Sequence, residues 1–190
     1  INYSNDTATT SVRGLLNFAR RGIAATGNSN FGYFGGGYST TLTLTVDRID
    51  YSNDLVTASV RGPLRFGRNS MGATSSHSFG GTPNSSFASN FTFPTVPNAG
   101  YFGGGSDGTN NLASIDKVDY ANDTATASVR SALSSARNNS TGVSNTNYAY
   151  FGGGGSPSSV SVVDRIDYSS DTQNSIVRNN LLTEKTAVGS

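Results

Sequence analysis

Three aspartates stand within eight residues at Asp47, Asp50 and Asp54, in the phrase VDRIDYSND (46–54). That spacing invites two kinds of chemistry, oxygen ligation of a calcium ion or paired carboxylates working as general acid and base. A calcium loop needs ligands converging from one turn and closed by a bidentate acid, and nothing in the phrase closes that way. On a regular strand Asp47 and Asp50 point to opposite faces, so they do not pair as carboxylates unless a bulge re-aims one. The expected roles are structural, with Asp54 capping a turn and Asp47 pairing with an arginine. His77, the single histidine, lies in a polar stretch that offers neither a metal-ligand set nor an oriented triad, and a surface loop position is expected. No catalytic, cofactor-binding or metal-binding residue is assigned, and no cofactor is expected.

The same phrase returns as IDKVDYAND from Ile115 and as VDRIDYSSD from Val163, and the chain opens on INYSND. With Ile1, Ile49, Val118 and Ile166 as anchors, the spacings are 48, 69 and 48 residues. Tyrosine recurs at plus two (Tyr3, Tyr51, Tyr120, Tyr168) and aspartate at plus five (Asp6, Asp54, Asp123, Asp171). Arginine recurs at plus twelve (Arg13, Arg61, Arg130, Arg178), leucine at plus fifteen (Leu16, Leu64, Leu133, Leu181), and a cation at plus nineteen (Arg20, Arg68, Arg137, Lys185). A register held over four copies marks a repeat architecture, in which each unit leans on its neighbours to bury its apolar face. The repeated arginines could ring an axis and bind anions; the expected role is pairing with the repeated aspartates so that one unit is tied to the next.

Each unit reads as strands. TLTLTV (41–46) alternates with period two, the pattern of a half-buried strand. Val46 and Ile49 are three apart, which predicts a bulge at Asp47-Arg48. Tyr51-Ser52-Asn53-Asp54 supplies turn chemistry, and TASVR (57–61) reads as the returning strand of a hairpin. A less regular strand then leads to GYFGGG (32–37) or AYFGGG (149–154), aromatic strands ended by glycines, where the backbone must bend sharply or pass close to another backbone. These glycines lack the Lys and the helix of a phosphate-binding loop. Four short strands per 48 residues match the size of a propeller blade.

Composition narrows the function classes. Of 190 residues, 34% are apolar and 13% charged, the net charge is +1, and lysine occurs only at Lys117 and Lys185. Counterion release needs clustered cations, so a nucleic-acid surface is not expected. No apolar run approaches the roughly 20 residues that span a bilayer. Cysteine is absent, which excludes disulfides and thiolate metal sites. No signal peptide is read at the start, and the absence of an initiating Met leads to the expectation that residue 1 is not the native start.

The strand end Tyr33-Phe34-Gly35-Gly36, the strand Ile49-Asp50-Tyr51 and the later Leu64 and Arg68 resemble the kelch repeat, the blade unit of one β-propeller family. The resemblance covers nearly the whole chain. It departs where kelch blades usually carry a Trp, since the chain has none and places Ala58, Ser59 and Val60 there. The wording RIDYSND followed by YFGGG is also similar to kelch-like repeats of structural and tail-fibre proteins of marine bacteriophages, particularly those of cyanobacteria. Copper radical oxidases on kelch-type propellers use Cys, Tyr and His ligands, and sialidase propellers need a Trp-containing Asp-box. Neither set is present.

These readings imply an all-β fold, a β-propeller of four-stranded kelch-like blades with about three and a half blades in residues 1–190. Repeats are anchored at 1, 49, 118 and 166, and an insertion falls at about 77–97. Either more chain exists or another copy completes the ring, two copies giving seven blades being one arithmetical outcome. The insertion makes the distance from Arg68 to Tyr101 33 positions against 13 in the sister copies. It places Phe79, Phe87, Phe91 and Phe93 in polar surroundings. An apolar loop on a polar repeat packs on its own domain or on a partner, and these four are the candidate partner-binding residues. The expected function is non-enzymatic, a structural or adhesive protein of a virion, extracellular, binding other virion subunits, itself as an oligomer, or a host-surface glycan. An intracellular kelch-type interaction module is the alternative.

Overall fold

The computed structural model describes residues 12–76, 98–155 and 158–184. Among them the chain is all-β. Three four-stranded antiparallel sheets follow one another, each meandering in chain order. The first holds β1 (Ala24–Gly27), β2 (Phe31–Gly35), β3 (Val46–Asp50) and β4 (Ser59–Arg61). The second holds β5 (Gly72–Ser75), β6 (Ala99–Gly103), β7 (Ser114–Asp119) and β8 (Ser128–Ala132). The third holds β9 (Thr141–Ser144), β10 (Tyr148–Gly152), β11 (Val163–Asp167) and β12 (Ile176–Val177).

Local chemistry sets the connections. Asn28 Oδ1 accepts from the N–H groups of Asn30 and Phe31 at 2.9 Å, an Asx turn that reverses the chain between β1 and β2. Asn145 does the same for Asn147 and Tyr148 in the third sheet. In the second sheet Ser76 Oγ accepts from Ala99 N–H at 3.0 Å, so the strands flanking the insertion pair as in the sister copies. Between β3 and β4 the chain makes a 3-10 turn, Tyr51–Asn53, repeated as Tyr120–Asn122 and Tyr168–Ser170. The capping side chain is Asp50, whose Oδ1 accepts from Ser52 N–H, with Asp119 and Asp167 in the same role. The cap is thus the aspartate before the turn; Asp54, expected to be that cap, is used otherwise.

The core lies between sheets. Tyr33, Val46 and Leu64 pack against Phe102, Val118 and Tyr120 of the second sheet. Tyr101, Ile115 and Leu133 repeat the arrangement against Phe151, Ile166 and Tyr168 of the third. Both faces of β3 and β7 are therefore covered. That removes the expected bulge at Asp47-Arg48: β3 pairs in unbroken register with both neighbours, and Val46 and Asp47 are each fully buried on opposite faces. An irregularity does occur in β7, between Ser114 and Asp116. The expected strand at 41–46 begins only at Val46. Thr43 Oγ1 takes the N–H of Thr45, while the carbonyls of Thr43 and Leu44 accept from Arg68 and Leu64 on the crossing link. Local hydroxyl bonds and the link thus replace a ladder there.

The glycine-ended phrases are explained at two positions. A Cβ on Gly35 would lie 2.8 Å from the Phe102 ring, and Gly103 repeats the contact with Phe151. Gly36 has φ +63°, and a Cβ there would stand 2.5 Å from the Arg68 carbonyl oxygen. The close backbone approach and sharp bend expected from sequence are both present.

Candidate functional site

The charged groups with the spacing of chemistry form one buried pair per unit. Asp47, Asp116 and Asp164 are fully buried, and each meets the arginine at plus nineteen of the preceding copy. Arg20 Nη1 lies 2.9 Å from Asp47 Oδ2, Arg68 Nη2 lies 3.2 Å from Asp116 Oδ2, and Arg137 Nη2 lies 2.7 Å from Asp164 Oδ2. The guanidinium groups also donate to strand-end carbonyls, Arg20 to Phe34 and Gly36, Arg68 to Gly104 and Ser114, and Arg137 to Phe151. The carboxylates accept in addition from the N–H groups of Asn17, Arg65 and Ser134. This is the multi-acceptor arrangement a planar guanidinium permits, and it fastens each link to the sheet that follows. At the central pair burial dominates: desolvation raises the Asp116 carboxyl above its ordinary value against the opposing effect of Arg68, and it lowers the Arg68 guanidinium.

A second constellation recurs at each sheet junction. Tyr33 and Arg48 of the first sheet donate to Asp123 Oδ2 of the second, both at 2.8 Å, and Arg61 Nε stands 3.6 Å away. Tyr101 and Lys117 of the second sheet donate to Asp171 Oδ2 of the third at 2.8 and 2.9 Å, with Arg130 Nε at 3.8 Å from Oδ1. The plus-two tyrosines close the junction from the other side. Tyr120 stacks on Tyr33 at 4.6 Å and shares a hydrogen bond with Thr26 Oγ1, while Tyr168 stacks on Tyr101 at 5.2 Å and donates to the Ser75 carbonyl. Burial pushes the Tyr120 and Tyr168 hydroxyls up to about 12. Burial together with the neighbouring carboxylates pushes Tyr33 and Tyr101 up as well.

Where β1, β5 and β9, the first strand of each sheet, meet, a cavity of about 500 Å³ is lined by Ala24, Phe34, Ser70, Met71, Asn139 and Ser140 among others. Gly22, Ser70 and Asn139 occupy the same repeat position, all at positive φ (66°, 53° and 53°). Ser70 N–H donates to the Gly22 carbonyl, and Asn139 N–H to that of Ser70. Among the described residues no carboxylate, cation or imidazole lines the cavity. Its hydroxyl and amide groups with one aromatic ring can hold a neutral polar ligand, and they bring no acid or base to it.

Asp47 is thus in the arginine pair expected of it, and Arg13, Arg61 and Arg130 at plus twelve and Arg20, Arg68 and Arg137 at plus nineteen meet repeated aspartates of the following unit. Asp50 caps its turn, and Asp54 pairs with Arg13 at 3.4 Å rather than capping. The three aspartates do not converge. Among the described residues no group of three or more His, Asp or Glu side chains could hold a metal ion, and no helix is long and apolar enough to cross a membrane. His77 and the phenylalanines at 79, 87, 91 and 93 lie outside the described residues. The junction set built from Tyr33, Tyr101 and the cation at minus one (Arg48, Lys117, Arg165) was not singled out by sequence reasoning. Its signal was present, since the cation recurs one residue before the anchors Ile49, Val118 and Ile166 and the tyrosine recurs ahead of every Phe-Gly-Gly-Gly. No protein-family model matches the chain, and no curated protein is significantly similar to it.

Proposed function

We propose that the chain is a rigid, non-enzymatic scaffold of kelch-like propeller blades, acting in assembly or adhesion as part of an extracellular particle such as a phage virion. The observation that supports this best is the use of its recurrent charge. Each repeated Asp–Arg pair is spent on fastening a link to the sheet that follows and each Tyr–cation–Asp junction on holding one sheet to the next, and among the described residues no titratable side chain lines the cavity. The adjacency of β1, β5 and β9 agrees with blades set radially, inner strands toward one axis. Resemblance of the repeat wording to phage structural proteins supports the location. The loops so displayed, with the insertion at 77–97 foremost, would take neighbouring subunits or a host-surface glycan.

The test compares the full chain with a variant lacking residues 78–96, in binding to purified particles and to host-surface polysaccharide. Retained melting temperature with lost binding supports display by the insertion. Release of reducing ends from the polysaccharide by the full chain would overturn the non-enzymatic reading.

A further inference from the structure

The two junction sets described above have a third, incomplete version at each end of the sheet array, and the two incomplete versions are complementary. On the third sheet the counterparts of Tyr33, Arg48 and Arg61 are Tyr150, Arg165 and Arg178, and among the described residues no carboxylate pairs with them. The donors are preorganised as in the finished junction. Arg165 lies over the Tyr148 ring at 4.1 Å, as Arg48 lies over Phe31 at 4.2 Å. Beside them Tyr150, Val163 and Leu181 are only half-buried, whereas their counterparts Tyr33, Val46 and Leu64 are at most 1% exposed.

On the first sheet the acceptor half is present. Asp54 is the counterpart of Asp123 and Asp171, and its side chain is 41% exposed against 8% and 11% for those two. Arg13 already fills the role of Arg61, at 3.4 Å. The tyrosine hydroxyl and the strand cation have no representative at Asp54 among the described residues. Tyr51, the counterpart of the buried Tyr120 and Tyr168, is 54% exposed. Among the described residues the first sheet therefore lacks the two groups that the third sheet offers.

We infer that the outer face of the third sheet binds the Tyr51–Asn53 turn and Asp54 of a second copy of this chain, head to tail, with Tyr150 and Arg165 donating to that carboxylate. Charge complementarity and the two finished junctions within the chain are the basis. The geometry rests on the blade-array reading given above. Residues 12–14 of the acceptor copy already occupy the place that Val177 and Arg178 of the donor copy would take. β12, two residues long with both side chains exposed, is the element that yields. Such a contact is heterologous, so it either closes a ring or extends as a fibre.

The experiment is sedimentation velocity of the full chain over a wide concentration range, with far-UV circular dichroism as the folding check. Three variants accompany it, Asp54→Asn, Tyr150→Phe and Arg165→Ala, all at half-buried or exposed positions. The wild type is expected to associate. Each variant should weaken association by about tenfold or more, since a hydrogen bond to a charged group is lost. At concentrations where neither variant associates alone, a mixture of Asp54→Asn with Arg165→Ala should give a 1:1 dimer and nothing larger, because one chain keeps an intact donor half and the other an intact acceptor half. A folded wild type that stays monomeric at every concentration, or variants that associate as the wild type does, would overturn the inference. Energetic coupling between Tyr33 and Asp123, measured in the same preparations, separates the two readings. If that coupling is present, a monomer sinks only the head-to-tail contact; if it is absent, the blade-array reading fails with it.

Discussion

Replacing Arg68 by methionine should be among the most damaging single changes the described residues allow. The side chain is fully buried, stands 3.2 Å from Asp116 Oδ2, and donates to the carbonyls of Gly104 and Ser114 at 3.1 Å. Methionine fills much of the volume, removes both hydrogen bonds, and leaves Asp116 charged and enclosed. Breaking a buried pair in this way costs about 3–5 kcal/mol, a large part of the roughly 5–15 kcal/mol that holds a domain folded. The cost should depend on pH. Burial already raises Asp116 above its unfolded value, and losing Arg68 raises it further. A carboxyl with a raised folded value contributes its stability below about pH 4 and loses it as pH rises through the folded value. The penalty of Arg68→Met should therefore be full near neutral pH. In acid it should shrink to the cost of the lost carbonyl bonds, about 1–3 kcal/mol. The double variant Arg68→Met/Asp116→Leu removes both charges and should recover most of the neutral-pH loss. Urea unfolding followed by tyrosine fluorescence, which no tryptophan obscures, measures all three. A single-variant loss under about 1 kcal/mol near pH 7, or a loss independent of pH, would refute the reasoning.

Tyr33, Tyr101, Tyr120 and Tyr168 all have raised folded values, so each contributes stability that is complete below about pH 10 and falls by up to about 1.4 kcal/mol per pH unit as pH climbs toward their folded values. Spectrophotometric titration should show these four ionising only with cooperative unfolding near or above pH 12. Gly36→Ala places a Cβ at positive φ and against the Arg68 carbonyl, and should lower stability by about 1–3 kcal/mol in a urea melt. Deleting residues 78–96 leaves a three-residue link between Ser76 and Ala99, close to the two-residue links of the sister copies, so the melting temperature should stay nearly unchanged while assembly or surface binding falls; an unfolded deletion variant would place the insertion's phenylalanines in the protein's own core.

Much of this architecture was legible because the repeat is its own alignment. The repeat pointed to four strands per unit, the glycine bends after β2 and β10, and pairing of the repeated arginines with the repeated aspartates. What misled was the assumption that a strand has one buried face. Val46 and Ile49 suggested a bulge because a half-buried strand cannot bury both, whereas β3 has a sheet or link on each side and buries Val46 one way and Asp47 the other. Alternation at 41–46 suggested a strand, yet the Thr43 hydroxyl and the link carrying Leu64 and Arg68 take the hydrogen bonds a ladder would need. Asp50 rather than Asp54 caps the turn because both flank it, and only geometry decides which one caps and which one pairs with Arg13. The Tyr33 and Tyr101 hydroxyls were overlooked because an aromatic residue ahead of glycines reads first as packing.

The account depends on the Tyr–cation–Asp sets being what joins successive sheets, and a double-mutant cycle tests that most directly. Tyr33→Phe, Asp123→Asn and the double variant would be unfolded in urea, with Tyr101, Asp171 and their double variant run as the replica across the second junction. The account predicts a coupling of about 1–3 kcal/mol at both junctions, the range for a hydrogen bond to a charged partner in a water-poor site. Additive losses at both, with coupling inside about 0.3 kcal/mol, would contradict it.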